Sequence, residues 1–437
     1  MKYFITGITG TVVPVIVENL MKKDPNPVFY FAIRKGKNGT DIKTRLARTI
    51  DALDIDAGLK KKLAAGSTPV EINVTEKRLG IDPKVYIELV ENTEKILHGA
   101  ADVRFDQPYE KIRVSNVEFT EKIYSLFADI RDHRKAGGKS VPTLYYISTS
   151  YAYGAYKGII PEDYPNFKPA RPDNTYARTK AEAKRFILDR IEELNDNTVI
   201  FEPTIIGGSA STGRTKTYNL FYVFLMLGYK GKLPFMTAPE NRLDIVPVDW
   251  VAGIISDIMS RDEFRQGVIR LASGPDAVTN LAMRDVGYQY YVNHDPDPSH
   301  VIPPVRFVPK WVFNLMLFSQ KNYHRAMYLL THGKRHKKLM KGIHILEGYI
   351  PYITGNKIFD NSKSLALIEK YTDYAAAPLL QDVADEDGRV KKGYFEKLLA
   401  DTLETGWGGM VKFGKPEPET ETVGHTKAEP ALSTARR

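Results

Sequence analysis

Cysteine is absent from this chain of 437 residues, which excludes disulfides, thiolate metal sites and cysteine nucleophiles. Long apolar runs are missing too. The longest, Leu220–Leu227, falls far short of the roughly 20 residues that a bilayer-spanning helix needs. No signal-peptide pattern precedes the first strand-like segment, so a cytoplasmic protein is expected, with peripheral contact to a membrane left open. Histidine is scarce, and His324, His332, His336 and His344 have no acids around them; they read as surface residues, and no metal is expected. What the chain does have is ordinary: 43% hydrophobic and 26% charged residues, enough for a sizeable core and against disorder or a collagen-like repeat. Its length suggests two or three domains.

The formal charge of +9 is local. Between Lys321 and Lys341 stand seven Lys or Arg residues and no Asp or Glu. No recognisable nucleic-acid-binding module accompanies that run, so nucleic acid is not the expected partner.

The first 200 residues alternate strand-like and amphipathic segments, as βαβ units do. Strands are predicted at Lys2–Thr6, Pro27–Ile33, Pro69–Ile72, Lys95–Gly99, Thr143–Ser148 and Thr198–Phe201, with helices at Val13–Lys22, Asn116–Arg134 and Tyr176–Leu194. This pattern predicts an α/β fold, a doubly wound parallel sheet of Rossmann type. The expected division is a nucleotide-binding domain over 1–260, a mostly helical capping region over 261–413 aided by 202–240, and a disordered tail over 414–437.

Residues 2–13, KYFITGITGTVV, read as a strand, a turn with Gly7 and Gly10, and a helix. Such a turn lets backbone approach a pyrophosphate at a helix N-terminus. The third position of the expected G-x-x-G-x-x-G is Val13, which predicts a slightly displaced first helix. The second strand ends in Arg34 and Lys35 with no acid beside them in sequence. A cation there suits the 2′-phosphate of NADP(H), where an acid would suit NAD(H).

Further on, LYYISTSYAYG (144–154) carries hydroxyls at a strand end, and Tyr176 and Lys180 stand four apart on a predicted helix. They share a face one turn apart. An ammonium beside a phenol lowers the phenol's pKa and fits it for proton exchange.

These residues resemble the extended short-chain dehydrogenase/reductase superfamily over roughly Lys2–Met259. The resemblance implies that Thr149, five residues before Gly154, supplies the catalytic hydroxyl, with Ser148 and Ser150 as neighbouring alternatives. It implies Tyr176 and Lys180 as the acid–base pair, and Asn116 as the anchor of a water that resupplies the proton. Glu202-Pro203-Thr204-Ile205-Ile206-Gly207 resembles the Arg-Pro-x-x-x-x-Gly segment beside the nicotinamide, with Glu202 in place of arginine. Within the superfamily, His98-Gly99-Ala100-Ala101-Asp102-Val103-Arg104-Phe105-Asp106-Gln107-Pro108 is similar to the fatty acyl-CoA reductase and thioester-reductase branch. So are Asn73-Val74-Thr75-Glu76, Leu79-Gly80, Ser211–Arg214 and Leu243–Asp249. The implied cofactor contacts come from Thr6, Gly7, Thr9, Gly10, Thr11, Arg34, Lys35, Asn73, Val74, Ala100, Ala101, Pro203, Thr204 and Ile205, together with Tyr176 and Lys180.

The branch implies NADPH-dependent reduction of an acyl thioester, acyl-CoA or acyl-carrier protein, to an aldehyde or alcohol. Alternatives are a sugar-nucleotide epimerase or dehydratase, a ketone or hydroxyl oxidoreductase, and a non-catalytic NADPH-binding regulator. The aromatic-rich segments 218–229 and 308–318 read as core helices of the capping region or as walls of an acyl-chain tunnel. The basic run 321–341 reads as a solvated face or as a seat for an acyl-carrier protein, the phosphates of coenzyme A or an anionic membrane surface. Oligomeric state is open, a homodimer included.

Overall fold

The computed structural model describes residues 1–411 except 37, 106, 165, 219 and 385–389; Asp106 and the expected tail 414–437 lie outside the described residues. Seven parallel strands form the main sheet: β1 (Lys2–Thr6), β2 (Val28–Ile33), β3 (Ser67–Glu71), β4 (Lys95–His98), β5 (Thr143–Ile147), β6 (Thr198–Pro203) and β7 (Gly267–Leu271). Their order is β7-β6-β5-β4-β1-β2-β3. The central strands are buried along nearly their whole length, as expected of a parallel sheet covered on both faces. The predicted doubly wound α/β fold is the observed one. The order in which strands are added reverses between β1 and β4, and ligands of open α/β sheets sit at such a switch point.

The helices that matter for the cleft are α1 (Val12–Lys23), α2 (Phe119–Ala136), α3 (Thr175–Leu194), α4 (Phe221–Tyr229), α5 (Val248–Arg261), α6 (Lys310–Thr331), α7 (Lys334–Thr354) and α8 (Ser362–Tyr371). The helix predicted from Asn116 instead starts at Phe119, behind a π-helical turn, Val114–Glu118. The seventh strand lies beyond residue 260, in a stretch where sequence alternation weakens. Beyond it the chain leaves the sheet, builds the α6–α7 hairpin, and returns. Lys357–Phe359 pairs in parallel with Gly158–Ile160, and α8 packs on α5 and β7.

Buried charge fastens that return. Arg270 on β7 donates to the carbonyls of Ile160 (2.7 Å) and Asp360 (2.6 Å). The Glu162 carboxylate accepts from the backbone amides of Lys363 (2.6 Å) and Ser364 (3.0 Å), placing negative charge at the N-terminus of α8.

The two aromatic-rich segments part ways. Helix α4 is a core helix, and beside it a small separate cavity of about 40 Å³ is lined by residues such as Phe224, Leu225, Met283 and Tyr291. Helix α6 buries Phe313 but leaves Trp311, Leu315 and Phe318 at 70%, 57% and 66% exposure. The 308–318 segment does not line the large cleft; the hairpin turns α7, not α6, toward it. Among the described residues, no helix is long and apolar enough to cross a membrane.

Candidate active site

The carboxyl ends of β1 and β4 form the floor of a cavity of about 640 Å³. Gly7 follows β1 with φ +93°, and a Cβ there would lie 2.8 Å from the Gly99 carbonyl carbon and 2.9 Å from the Ala100 nitrogen. Only glycine fits, in both space and conformation. The Gly10 amide closes the turn onto the Gly7 carbonyl at 2.8 Å, and the N-terminus of α1 follows with Thr11 and Val12 on the cavity wall. This open floor at a helix N-terminus is the cradle a pyrophosphate needs. Val13, where a third glycine was expected, is accommodated from the other side: a Cβ on Gly99 would lie 2.5 Å from a Val13 methyl. The space sought on the helix is supplied by the residue that follows β4.

Beneath the floor, Thr6 Oγ1 accepts from the Ala100 amide (3.1 Å) and pairs with His98 Nδ1 (2.8 Å), while His98 Nε2 meets Thr120 (3.1 Å). Burial pushes the His98 imidazole down to about 3, so it stays neutral and acts as a hydrogen-bonded spacer between β1, β4 and α2.

The hydroxyl-bearing wall rises from β5 and α3. Asn174 caps α3 by accepting from the Ala177 amide at 2.8 Å, which fixes where the helix starts and so where Tyr176 points. Thr149, just past β5, donates to the Pro203 carbonyl at 3.2 Å and accepts from the Tyr151 amide at 3.3 Å. Tyr176, Thr149 and Lys180 all line the cavity. The expected proximity of Lys180 to the phenol is not the contact found. Its ammonium donates to the Tyr146 hydroxyl (2.8 Å) and the Ile147 carbonyl (2.7 Å), reaching back under the strand end. Burial holds the Tyr176 phenol above its ordinary value, with the Thr149 hydroxyl pulling the other way. Burial also brings the Lys180 ammonium down to about 7, opposed by the charge of Glu202.

Asn116 sits in the π-helical turn, off the cavity wall. Its side chain accepts from the Asp102 amide (2.7 Å) and donates to the Asp102 carbonyl (3.0 Å) and Thr179 Oγ1 (3.0 Å). It ties the loop after β4 to α3.

Of the residues read from sequence, Gly7, Gly10, Thr11, Ala101, Thr149, Tyr176, Lys180, Pro203, Thr204 and Ile205 share this one cavity. Thr6 lies beneath it, bonded to Ala100, while Thr9 is exposed on the turn. Arg34 and Lys35 are exposed at the end of β2, outside the cavity wall. An acid does stand nearby: Glu71 of β3 pairs with Lys35 at 2.9 Å. Sequence adjacency could not reveal it, because β2 and β3 are neighbours only through the sheet. Burial would raise the Asp102 carboxylate, but hydrogen bonds from Arg104 hold it below its usual range, and the charge of Arg34 adds a smaller pull the same way. Asn73 is engaged locally with Glu76 (2.6 Å) and Thr75, and Val74 is buried away from the cavity wall.

Several residues to which sequence reasoning gave no role are engaged at the site. Tyr146 is the partner of Lys180. Phe105 bridges the two walls, its ring 5.7 Å from Tyr176, 5.2 Å from Tyr349 and stacked on Tyr352 at 5.5 Å. Asp244 accepts from Thr204 Oγ1 (2.7 Å) and from the amides of Ser273 and Gly274 (both 2.9 Å), clamping the cavity-lining 203–205 segment onto the end of β7. Asp249 likewise gathers Ser209, Ala210 and Ser211. Glu202, the replaced arginine, faces the core, 2.5 Å from Lys184 and 3.9 Å from Arg270, all three side chains fully buried. The basic run also has an acid at its edge: Glu347 bonds Lys321 at 2.7 Å and lies 3.5 Å from His344.

Comparison with known proteins agrees with this geometry. Residues 5–255 match the family model described as male sterility protein, an NAD-binding domain. An L-2-aminoadipate reductase large subunit of Eremothecium gossypii is 27% identical over 298 residues, covering 65% of this chain but only 21% of that protein. A fatty acyl-CoA reductase of Drosophila melanogaster, wat, is 24% identical over 434 residues, covering 88% of this chain and 80% of that one. The terminal R domain from the myxalamid PKS-NRPS biosynthetic pathway shares the fold with a TM-score of 0.68 at 19% identity, covering 94% of this chain and 92% of that one. The glycine turn at the switch point and the hydroxyl wall facing it thus belong to a nicotinamide-cofactor oxidoreductase fold, and the chain is a member of the male sterility protein family within the extended short-chain dehydrogenases/reductases.

Proposed function

We propose that this protein reduces the carbonyl of an acyl thioester with NADPH, releasing the thiol and an aldehyde. The observation that carries the reading is a single cavity that holds the glycine turn, the Thr149–Tyr176–Lys180 wall and an aromatic extension through Phe105, Tyr349 and Tyr352. The names borne by relatives, an acyl-CoA reductase among them, support the substrate class.

Gly7, Gly10 and the α1 N-terminus would hold the cofactor's pyrophosphate. Bound there, the nicotinamide supplies a hydride. Tyr176, and Thr149 once its hydroxyl turns from the Pro203 carbonyl, would donate to the carbonyl oxygen as it gains charge, the use of polar groups that stabilises a transition state most. Tyr176 gives its proton to that oxygen, and the raised pKa keeps the phenol protonated until charge develops opposite it. Lys180 changes its own charge near neutrality and so matches the proton's return. Arg34, exposed and outside the Lys35–Glu71 pair, is the residue proposed to favour the 2′-phosphate of NADP(H).

The test is turnover of purified protein with NADPH and long-chain acyl-CoA, a sugar nucleotide and a simple ketone, following cofactor oxidation and free thiol together. Thiol release matched to NADPH consumption is expected. Turnover of a sugar nucleotide without any thiol release would replace the reading with an epimerase or dehydratase.

A further inference from the structure

One face of α7 runs along the cavity. Tyr352, Tyr349, Ile345 and Lys341 all line it, at spacings of three and four that keep them on a single stripe. Tyr352 stacks on Phe105, which touches Tyr176, so this end of the stripe lies at the reacting centre. Lys341 is eleven residues away, about 16 Å down the helix. The same stripe continues outward at the same spacing through Lys338 and Lys334, both exposed. Among the described residues none of these three lysines has a carboxylate within ion-pair distance; the acid nearest in sequence, Glu347, is taken by Lys321. The helix therefore presents about 16 Å of aromatic and aliphatic surface, then about 10 Å of uncompensated positive charge.

We propose that Lys341, Lys338 and Lys334 form the phosphate subsite for a coenzyme A thioester, with the pantetheine arm lying along Ile345, Tyr349 and Tyr352. This deepens the thioester reading and rests on it. The apolar length matches the order of an extended pantetheine arm, and the lysine row beyond it suits a ligand with several phosphates. An arm carried on a protein has a single phosphate, which would leave most of the row unused. Because the lysines stand far from the reacting carbon, they bind ground state and transition state alike and act on KM, not kcat.

The experiment compares the wild type with the triple variant Lys334→Gln, Lys338→Gln, Lys341→Gln, using an acyl-CoA and the same acyl group on pantetheine, which lacks phosphates. Exposed charge pairs are individually weak, so KM for acyl-CoA is expected to rise about tenfold in total. The kcat, KM for NADPH and KM for acyl-pantetheine should hold. Raising salt should reproduce the shift in the wild type, since such charges are screened over about 10 Å at 0.1 M. Free coenzyme A, titrated by calorimetry, should bind the wild type and weaken similarly in the variant. Equal KM shifts for both thioesters, or unchanged coenzyme A binding in the variant, would overturn the subsite while leaving thioester reduction intact. Selective use of an acyl-carrier protein over acyl-CoA would also overturn it. If no thioester is reduced at all, the parent reading fails, and coenzyme A binding still judges the lysine row separately.

Discussion

The two walls of the cleft are built on opposite plans. On the sheet side, Thr149 and Lys180 each find protein partners, and the charges beneath them, Lys184, Glu202 and Arg270, are fully buried against one another. On the hairpin side, α6 leaves an apolar stripe in solvent and α7 leaves lysines without acids. A wall whose charges are paired and buried is held in place by the protein itself; a wall with exposed, unpaired charge is open to an outside partner. On the proposed reading chemistry and choice of substrate lie on different walls, so damage to one should leave the other's function standing.

The sharpest way to break that division is on the sheet wall. Tyr176→Phe should lower kcat by about 10²–10⁴-fold, the usual worth of a positioned proton donor, while cofactor affinity measured by fluorescence titration stays near wild type. A kcat near wild type would move the acid off α3. Next in size is the sealed charge behind it. Lys184→Met leaves Glu202 buried beside Arg270 alone, and removing one partner of such a pair costs about 3–5 kcal/mol in urea unfolding. A second change, Glu202→Leu, should recover part of the loss, because a well-packed apolar pair often replaces a buried ion pair without penalty.

Lys180 gives a pH signature. Its folded value is depressed to about 7 from an ordinary 10.5, so the unfolded chain binds the extra proton between those limits. The stability linked to Lys180 is therefore fully present above 10.5 and lost as pH falls through about 7. Across that window its share is up to about 1.4 kcal/mol per pH unit. Unfolding free energies of Lys180→Met should rise less steeply with pH than those of the wild type; parallel curves would place the lysine in water. The smallest effect expected is at the rim. Arg34→Ala should weaken NADPH about tenfold with little change for NADH, in line with a charge-assisted hydrogen bond. Lys35→Ala should do less, because Glu71 already holds that ammonium.

Much of the sheet wall was legible in sequence, since the α/β alternation, the glycine turn and the Tyr–Lys spacing are all local patterns. What escaped was non-local. Glu71 neutralises Lys35 through strand pairing, and Gly99 makes room for Val13 from just past a different strand. The lysine–phenol contact was misassigned because helix spacing fixes a face but not how far a long side chain reaches, and Lys180 reaches Tyr146. Strand β7 went unread because it follows a stretch of loops and short segments that breaks the helix–strand rhythm. On the hairpin, composition announced both the aromatic and the basic character. It could not say which helix faces the cleft, and 308–318 was the wrong one.

The closing contact between Glu162 and α8 has a consequence for how the protein comes into being. Its two halves are separated by 202 residues of chain. During synthesis the Rossmann sheet can begin to assemble while the Glu162 carboxylate and the Arg270 guanidinium still lack the backbone groups around Asp360 and Ser364 that receive them. Helix α7, which completes the cleft, is made inside that same interval. A nascent chain stopped before residue 360 thus carries Tyr176 and the glycine turn but leaves Glu162 and Arg270 without these later partners, and N-terminal fragments ending near residue 260 lack even the seventh strand. Chaperone dependence and fragment insolubility should therefore concentrate in that interval of translation.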